Sequence, residues 1–272
     1  MIVKLTLDRY RLSEFERAEI LRLLENISDD LTVESLWGII DQVWLDAGCG
    51  ISPLRSECLD QFYRHPVWIL NGIFIEQDQD SMSHRQAFAE AVATFTPEKV
   101  VDIGGGFGTL SRLVSKVLPE VEINILEPYP SVCAQHLVEE CPGIQFVNCL
   151  ENQAYDLLLC TDVLEHLEDP VGFMRLMVDS VKLGGHLLIA NCFEPVVLCH
   201  LPSTFHLRYS FDKLCHQLGL KRIHCSLLPY GALYLKTANP VVSDRDLEDF
   251  EKWSKRMFPL RELKRRLMEA LK

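Results

Sequence analysis

Short apolar runs alternate along the middle of the chain with segments whose apolar residues recur every three or four positions. An uninterrupted apolar run predicts a buried strand, and the longer spacing predicts an amphipathic helix. The predicted elements are strand 100–103, helix 108–117, strand 122–127, helix 130–139, strand 144–148, strand 156–160, helix 169–181 and strand 186–191. Strands that alternate with helices indicate a parallel sheet with right-handed crossovers.

Helical patterns precede this region, and a hairpin pattern follows it. The earlier segments predict helices at 8–26, 36–45 and 56–63, with Thr32 as the N-cap of the second. The later segments predict helix 211–218, paired strands 222–227 and 232–238, a charged stretch at 243–257 and a helix at 261–272. We therefore expect an α/β fold with a doubly wound, seven-stranded, mostly parallel sheet. Its expected divisions are an N-terminal helical cap or lid (1–80), a core (81–242) and a C-terminal helical extension (243–272).

A glycine-rich turn follows the first predicted strand. The order is Asp102-x-Gly104-x-Gly106-x-Gly108, after which the helical pattern begins. A strand, a glycine turn and a helix together let a ligand touch bare backbone at a helix N-terminus. Glycine suits this place because a side chain would block the close approach and resist the dihedral angles of the turn. The order is not the dinucleotide fingerprint, because Thr109 stands where its third glycine is needed.

Three further segments with candidate ligand-binding residues or turns follow the glycine turn along the chain. Glu127 ends the second predicted strand, and a carboxylate there can accept two hydrogen bonds from a ribose diol. The fourth strand leads into a loop that carries Asp162, Glu165 and His166. A Gly-Gly turn after Leu183 leads into the fifth strand.

These four segments resemble the motifs of class I S-adenosylmethionine (SAM) methyltransferases, in the small-molecule, ubiquinone-biosynthesis type of that family. The resemblance covers residues 84–236. It implies a Rossmann-like fold and SAM as the cofactor. It also implies that the glycine turn admits the methionyl part of SAM, that Asp102 organises the turn and that Glu127 holds the ribose.

The resemblance implies a larger set of cofactor-binding residues. They are Asp102, Gly104, Gly105, Gly106, Gly108, Glu127, Pro128, Asn148, Cys149, Leu150, Thr161, Asp162 and Arg85. Asn148 and Cys149 are the alternatives for contacting adenine, because the connection between the third and fourth strands is short. Arg85 either pairs with the methionyl carboxylate or is an ordinary solvated arginine on a helix.

A second stretch, Trp44-Leu-Asp-Ala-Gly-Cys-Gly, matches the start of the same motif by text alone. Its context differs, since Ser52 replaces the last glycine and Pro53 follows directly. We predict that this look-alike is a helix C-terminus followed by a loop.

The segment 65–77 is unusually apolar for a connection between helices. One interpretation is an ordinary core segment. The other is a lid that excludes water from the cofactor, with Trp68, Phe74 and Glu76 near the mouth of the site.

Charge and cysteine usage restrict the class of partner. The 272-residue chain has a formal net charge of -12, which disfavours a broad nucleic-acid surface. Its ten cysteines have irregular spacing, and with no signal peptide recognised they predict a reducing, cytoplasmic location. No apolar run is long enough for a membrane helix. We expect no nucleic-acid or membrane partner.

The last predicted helix has two candidate partners. One expectation is that it packs on its own domain, and the alternative is a homodimer contact.

Metal binding is not expected from the sequence. Cysteine and histidine are neighbours at 199–200, 215–216 and 224–225, but no C-x-x-C or H-x-x-x-H arrangement frames a zinc site.

Three histidines are candidates for catalysis. His166 follows the fourth strand, and His200 and His206 follow the fifth, so all three lie in loops where a doubly wound sheet binds ligands. Histidine can take the proton of a hydroxyl as it attacks a methyl group. We favour His200 or His206 as the base and His166 as a wall of the site, with Arg208 and Tyr209 orienting the acceptor.

The predicted activity is therefore methyl transfer to a hydroxyl of a small molecule, such as a natural product, a sugar or another metabolite. The alternative interpretation of the three histidines is that none acts as a base, and that they only bind the acceptor or pack in the fold. Methylation of nitrogen, methylation of RNA or protein, and a catalytically silent SAM-binding protein are the alternative functions.

Overall fold

The computed structural model describes residues 3–25, 27, 31–50 and 54–270. The helices are α1 (Glu14–Leu24), α2 (Val33–Asp46), α3 (Ser56–Tyr63), α4 (Val67–Gln77), α5 (Gln79–Ala93), α6 (Thr109–Val117), α7 (Val132–Glu139), α8 (Pro170–Ser180), α9 (Phe211–Gln217) and α10 (Asp244–Ala270). The strands are β1 (Lys99–Ile103), β2 (Glu122–Leu126), β3 (Ile144–Val147), β4 (Tyr155–Thr161), β5 (Val181–Ala190), β6 (Leu220–Ile223) and β7 (Ala232–Lys236). Short 3₁₀ helices cover Leu164–His166 and Pro202–Tyr209. Among these described helices, none combines the length and the apolar character needed to cross a lipid bilayer.

The seven strands form one sheet in the order β3-β2-β1-β4-β5-β7-β6. The pairs β1–β2, β2–β3 and β4–β5 are parallel, and β7 pairs antiparallel with both β5 and β6. This confirms the predicted α/β class, the seven-stranded, mostly parallel, Rossmann-like sheet and its antiparallel closing hairpin. The predicted N-terminal helices are also present.

Chain contacts divide the protein into two compact units. The first unit comprises residues 1–149, 196–199 and 225–230, and the second comprises 150–195, 200–224 and 231–272. The boundary at 149/150 falls inside the core predicted over 81–242, so the cap, core and extension divisions stay a prediction.

Apolar runs form the strands because they are buried in the sheet. Val100 and Val101 in β1 are fully buried, as are the residues from Leu157 to Cys160 in β4. Such continuous apolar runs are typical of parallel strands that helices cover on both faces. Strand β5 begins at Val181 rather than at 186, so the predicted Gly-Gly turn lies inside the strand. Pairing with β4 is irregular across these glycines and becomes regular from His186.

Capping residues set the starts of the first two helices. Ser13 and Glu16 form a capping box at the start of α1, so the helix predicted from residue 8 begins later, at Glu14. The Thr32 side chain accepts a hydrogen bond from the Ser35 N–H and caps α2, as predicted. The helix expected at 56–63 is confirmed as α3.

The C-terminal region departs from the prediction, because α10 is one continuous helix of 27 residues with Pro259 inside it. A proline normally ends or kinks a helix, since it lacks an N–H and clashes with the preceding turn. Here contacts to one segment hold α10 on both sides of the proline: Ser254 with His206, and Glu262 with Tyr209. The predicted division into a charged stretch and a separate helix is therefore wrong. The homodimer contact stays a prediction.

The hairpin strands also differ in extent from the prediction. Strand β6 covers Leu220–Ile223 rather than 222–227, and a connection of eight residues separates it from β7. At the end of β7, Lys236 is buried, and its Nζ donates hydrogen bonds of 2.8 Å to the carbonyl oxygens of Val178 and Val181. Burial lowers the pKa of this ammonium group.

We expect Lys236→Met to destabilise the protein, because it removes the Nζ donor from two carbonyls at the end of α8. The Val178 carbonyl keeps its bond from the Val181 N–H, whereas the Val181 carbonyl loses its side-chain donor. Each unsatisfied buried group costs about 1–3 kcal/mol. Urea unfolding followed by circular dichroism measures the loss. Lys221→Met, at an exposed position on the neighbouring strand β6, is the matched control and should change the unfolding free energy by less than about 0.5 kcal/mol. Equal effects of the two variants would contradict the bonding role of Lys236.

Candidate active site

In the first unit, a glycine turn joins β1 to α6. Gly104, Gly106 and Gly108 have φ angles of +61°, +49° and +70°, in the left-handed region that glycine adopts readily. A Cβ atom on Gly105 would lie 2.8 Å from both Asp102 Oδ2 and Ile125 Cγ2. The turn thus needs glycine for its dihedral angles and for its packing. It leads directly into the N-terminus of α6, which begins at Thr109.

Asp102 is buried at the base of this turn. Its Oδ2 accepts a hydrogen bond of 2.7 Å from Ser111 Oγ, which ties the end of β1 to α6. Burial raises the pKa of the Asp102 carboxyl to about 6, and the nearby charge of Glu127 also acts to raise it. The hydrogen bond from Ser111 acts in the opposite direction and lowers this pKa. Asp102 therefore stabilises the conformation of the glycine turn through its contacts with Ser111 and Gly105.

Glu127 follows β2 and contacts the same turn. Its Oε2 accepts a 3.1 Å hydrogen bond from the Gly106 N–H, and its Oε1 accepts one of 3.1 Å from the Tyr129 N–H. Burial raises the pKa of this carboxyl, while the two N–H donors act to lower it. The structure thus fixes the predicted ribose acceptor against the glycine turn by backbone bonds.

The other predicted cofactor residues of the first unit lie on helix α5 and in the loops after β2 and β3. Arg85 is on α5, where its Nη1 donates to the Ser81 carbonyl at 3.1 Å, and its charge acts to lower the pKa of Asp102. Pro128 follows Glu127 and is exposed, as are Asn148 and Cys149 after β3. Their contacts with a cofactor stay predictions.

Helix α4 fits the core interpretation of segment 65–77. Phe74 is buried, and Trp68 Nε1 donates to the Phe62 carbonyl at 3.1 Å. The Glu76 carboxylate accepts hydrogen bonds from the Thr109 hydroxyl at 2.9 Å and from the Arg112 guanidinium. Glu76 therefore joins α4 to the first turn of α6.

The look-alike at 44–50 is a helix C-terminus, as predicted. Helix α2 ends at Asp46, and Gly48 has a φ of +77°. Asp46 accepts a hydrogen bond of 2.8 Å from Gln42 on the same helix. Ser52 and Pro53 lie outside the described residues.

In the second unit, the loop after β4 begins with Thr161 and Asp162. Asp162 has a φ of +56° and donates its N–H to the Ala190 carbonyl at the end of β5, at 2.7 Å. Its side chain is exposed, while Thr161 and Leu150 are half-buried. Whether these three residues bind the cofactor stays a prediction.

Glu165, His166 and His200, here called the Glu165 cluster, lie together beyond the strand ends of the second unit. The two imidazole rings meet edge to face, with their centroids 4.9 Å apart. Glu165 is fully buried, and its Oε1 accepts a 2.7 Å hydrogen bond from the Cys192 N–H. The Glu165 carbonyl accepts a 2.8 Å bond from the Leu201 N–H. One residue thus ties the loop after β4 to two points of the segment after β5.

Glu165 was not among the predicted site residues. The signal in the sequence was an acid directly before a candidate histidine, in a loop after a buried strand. Burial raises the pKa of its carboxyl well above the usual range, and the nearby Asp162 charge adds to this.

His206 differs from the other two histidines. Its ring is buried, with Nδ1 2.8 Å from Ser254 Oγ on α10. Burial lowers its pKa to about 4, and the Lys255 charge adds to the effect. The ring is therefore neutral at pH 7 and packed against a helix. The geometry favours His200 over His206 as the base, and the role of either stays a prediction.

Arg208 and Tyr209 bind other parts of the chain. Arg208 donates to the Phe193 carbonyl at 2.7 Å and to Glu262 on α10 at 3.0 Å. The Tyr209 hydroxyl donates to the same Glu262 carboxylate at 2.8 Å. These bonds attach α10 to the segment after β5, and they give no support to the predicted role in orienting an acceptor.

A family model described as a methyltransferase domain matches residues 74–270. The chain belongs to this methyltransferase family. The match includes both the glycine turn and the Glu165 cluster.

Curated relatives of this methyltransferase include two ubiquinone biosynthesis O-methyltransferases. The protein from Proteus mirabilis is 32% identical over 102 residues, which are 35% of this chain and 42% of that protein. The protein from Aliivibrio fischeri is 27% identical over 132 residues, which are 46% of this chain and 56% of that protein. The chain thus matches about half the length of these relatives.

Human N-acetylserotonin methyltransferase, solved in complex with SAM, has a similar fold. It is 16% identical, with a TM-score of 0.52 over 81% of this chain and 70% of that one. At this identity the likeness concerns the fold alone.

SAM is the cofactor of the methyltransferase, and the residues present fit it. The glycine turn offers backbone at a helix N-terminus, and its glycines are required by φ or by packing. The Glu127 carboxylate, already held by two N–H groups, has the chemistry to accept further bonds from a diol.

We expect the stability of the Asp102→Asn variant, relative to the wild type, to rise with pH. A carboxyl with a raised pKa costs nothing well below its unfolded pKa of about 4, where both the folded and the unfolded states are protonated. The wild type loses stability as the pH passes from about 4 to above 6, because only the unfolded state ionises freely. Asparagine does not titrate, so the relative gain is roughly 3 kcal/mol. Urea unfolding at pH 4 and pH 8 measures it.

Asp249→Asn, at an exposed position on α10, is the control and should show little dependence on pH. A difference between the wild type and Asp102→Asn that does not change with pH would contradict the raised pKa of Asp102.

Proposed function

We propose that this methyltransferase acts on a hydroxyl oxygen of a small-molecule acceptor. The observation that carries the proposal is the Glu165 cluster, which places two imidazole rings and a buried carboxylate in the loops after β4 and β5. Ligands of sheets of this kind bind beyond the carboxyl ends of the parallel strands. The relatives named as O-methyltransferases support oxygen as the nucleophile.

Methyl transfer needs little from the protein beyond alignment, exclusion of water and removal of a proton. SAM, when bound, supplies a methyl group that is already activated for attack. In this proposal the glycine turn and Glu127 hold the cofactor, and the loops after β4 and β5 hold the acceptor. Correct placement of the two reactants contributes a large part of the rate.

The hydrogen bond of His200 sets which of its nitrogens is basic. Nδ1 lies 2.8 Å from the Glu194 carbonyl oxygen. A carbonyl only accepts, so the proton of the neutral ring is assigned to Nδ1 and the lone pair to Nε2. In the proposed mechanism Nε2 takes the acceptor's hydroxyl proton during attack, with His166 beside it.

The acceptor class is proposed from charge as well. A net charge of -12 repels the phosphates of RNA or DNA, so a small molecule is favoured over a nucleic acid.

We expect Glu127→Ala to weaken SAM binding by about 1.5–3 kcal/mol, the scale of hydrogen bonds to a charged group that are left unmade. Glu127→Gln keeps the shape and one acceptor oxygen, so it should lose less. Isothermal titration with SAM measures both variants.

Two controls accompany this titration. Glu122→Ala removes an exposed acid from the start of the same strand, and Asp46→Ala removes the acid of the look-alike. Both should bind SAM as the wild type does. If Glu127→Ala also did so, the ribose contact would have to be assigned to another residue.

We expect His200→Ala to slow methyl transfer about 100-fold or more, because it removes the proposed proton acceptor. SAM affinity should be retained. The assay uses SAM with a ¹³C-labelled methyl group and a metabolite extract, and NMR of the products distinguishes O-methyl from N-methyl carbons.

His216→Ala, an exposed histidine on α9, is the matched control and should transfer methyl groups at the wild-type rate. A labelled methyl group found on nitrogen would overturn the proposed acceptor class. An unchanged rate in His200→Ala would show that alignment suffices without this histidine.

A further inference from the structure

The three members of the Glu165 cluster offer three metal-ligand atoms to one point. One carboxylate oxygen and one ring nitrogen from each histidine all lie within 4.8 Å of one another. Oxygen and nitrogen ligands around a single zinc ion at 2.0–2.2 Å are separated by about 3–4 Å. Small side-chain rotations therefore suffice to bring the three atoms onto one ion.

The buried Glu165 carboxylate has one oxygen that could bind a cation. Glu165 is fully buried, and its Oε1 already accepts the Cys192 N–H. Its Oε2 is also buried and has no hydrogen-bond partner. Buried carboxylates in proteins are normally paired with cations or coordinate metals, because an uncompensated charge is costly away from water. A metal ion on Oε2 would satisfy this oxygen.

His200 has the outer hydrogen bond that a metal-binding histidine normally makes. Its Nδ1 lies 2.8 Å from the Glu194 carbonyl oxygen, which orients the ring and makes Nε2 the proposed ligand atom. Metal-ligating histidines commonly donate their second nitrogen to a carbonyl in this way, and the bond raises the basicity of the ligand. The backbone is also fixed, since the Leu201 N–H donates to the Glu165 carbonyl at 2.8 Å.

The donor set selects the kind of metal. Two imidazoles and one carboxylate suit zinc and neighbouring transition metals, whereas magnesium and calcium prefer oxygen ligands alone. Three protein ligands leave a coordination position open, as in catalytic zinc sites.

We propose that Glu165, His166 and His200 bind one zinc ion with an open coordination position. Metal binding itself does not depend on the acceptor. Its role in catalysis rests on the proposed function: the open position takes the acceptor hydroxyl, and the ion promotes loss of its proton to water. The oxygen then forms a bond to the methyl carbon, and the carbon–sulfur bond of SAM breaks with its electron pair left on sulfur. In the metal-bound protein the ion thus replaces His200 Nε2 as the group that activates the hydroxyl.

The test measures metal binding directly on the full chain. Chelator-treated protein is titrated with Co²⁺, a coloured substitute for zinc, and with Zn²⁺ by calorimetry. We expect one equivalent of each ion to bind, with visible absorption bands that show nitrogen and oxygen ligands. Zn²⁺ should displace Co²⁺ from the same site.

Three variants identify the ligands. Glu165→Gln keeps the shape and the bond to the Cys192 N–H but removes the charge, and we expect at least a tenfold loss of metal affinity. His166→Ala and His200→Ala should each weaken binding about 10- to 100-fold or abolish the Co²⁺ bands. His216→Ala, outside the cluster, should bind one equivalent as the wild type does. Circular dichroism and SAM titration establish that each variant is folded, and the half-buried His166 position provides a test even if Glu165→Gln does not fold.

Binding of no equivalent, or of one equivalent with unchanged affinity in His166→Ala and His200→Ala, would overturn the metal site. Full methyl transfer to oxygen by chelator-treated protein would overturn the catalytic role of the ion and leave the proposed function standing. Metal binding with the labelled methyl group on nitrogen would support the site and overturn the proposed acceptor class.

Discussion

Buried and half-buried carboxylates hold the chain at the ends of the parallel strands, and the candidate site depends on them. Loops in such places expose backbone N–H groups that need partners once water is removed. Glu127 and Glu165 accept bonds from the N–H groups of Gly106 and Cys192. Asp102 instead accepts a bond from the Ser111 hydroxyl on α6. Burial raises the pKa of all three acids, because a carboxylate that is removed from water loses its hydration. At Glu165 the proposed metal ion would compensate this charge.

In the second unit, helix α10 holds the segment after β5 through side-chain hydrogen bonds. The segment after β5 is bound to this helix by His206 at Ser254 and by Arg208 and Tyr209 at Glu262. The same segment carries His200, six residues before His206, so α10 anchors the segment that supplies one member of the Glu165 cluster. This explains why a helix that contains Pro259 is continuous along its whole length: its attachments lie on both sides of the proline.

Periodicity and the glycine turn were enough to predict most of the fold. Strands β1 to β4 lie within one residue of their predicted bounds, because their apolar runs are buried in the sheet. Strand β5 begins at Val181 rather than at 186, since pairing with β4 extends it through the predicted turn. The look-alike at 44–50 was separated from the true turn by its context, and the structure confirms the distinction. The bounds of β6 and the continuity of α10 were missed, since neither is set by local sequence. Strand pairing fixed the first, and contacts with the 206–209 segment fixed the second.

The sequence by itself determined the methyltransferase family, the cofactor and the glycine turn, because these depend on residues close together in the chain. Only the tertiary structure decided among the histidines. His200 and His206 are six residues apart in the same loop segment. His200 contacts His166 in the Glu165 cluster, whereas His206 is packed against Ser254 on α10. Their difference arises from elements far away in the chain, the loop after β4 and helix α10. Tertiary packing decides how far a side chain lies from such elements and how deeply it is buried. A local sequence pattern contains no information about this packing.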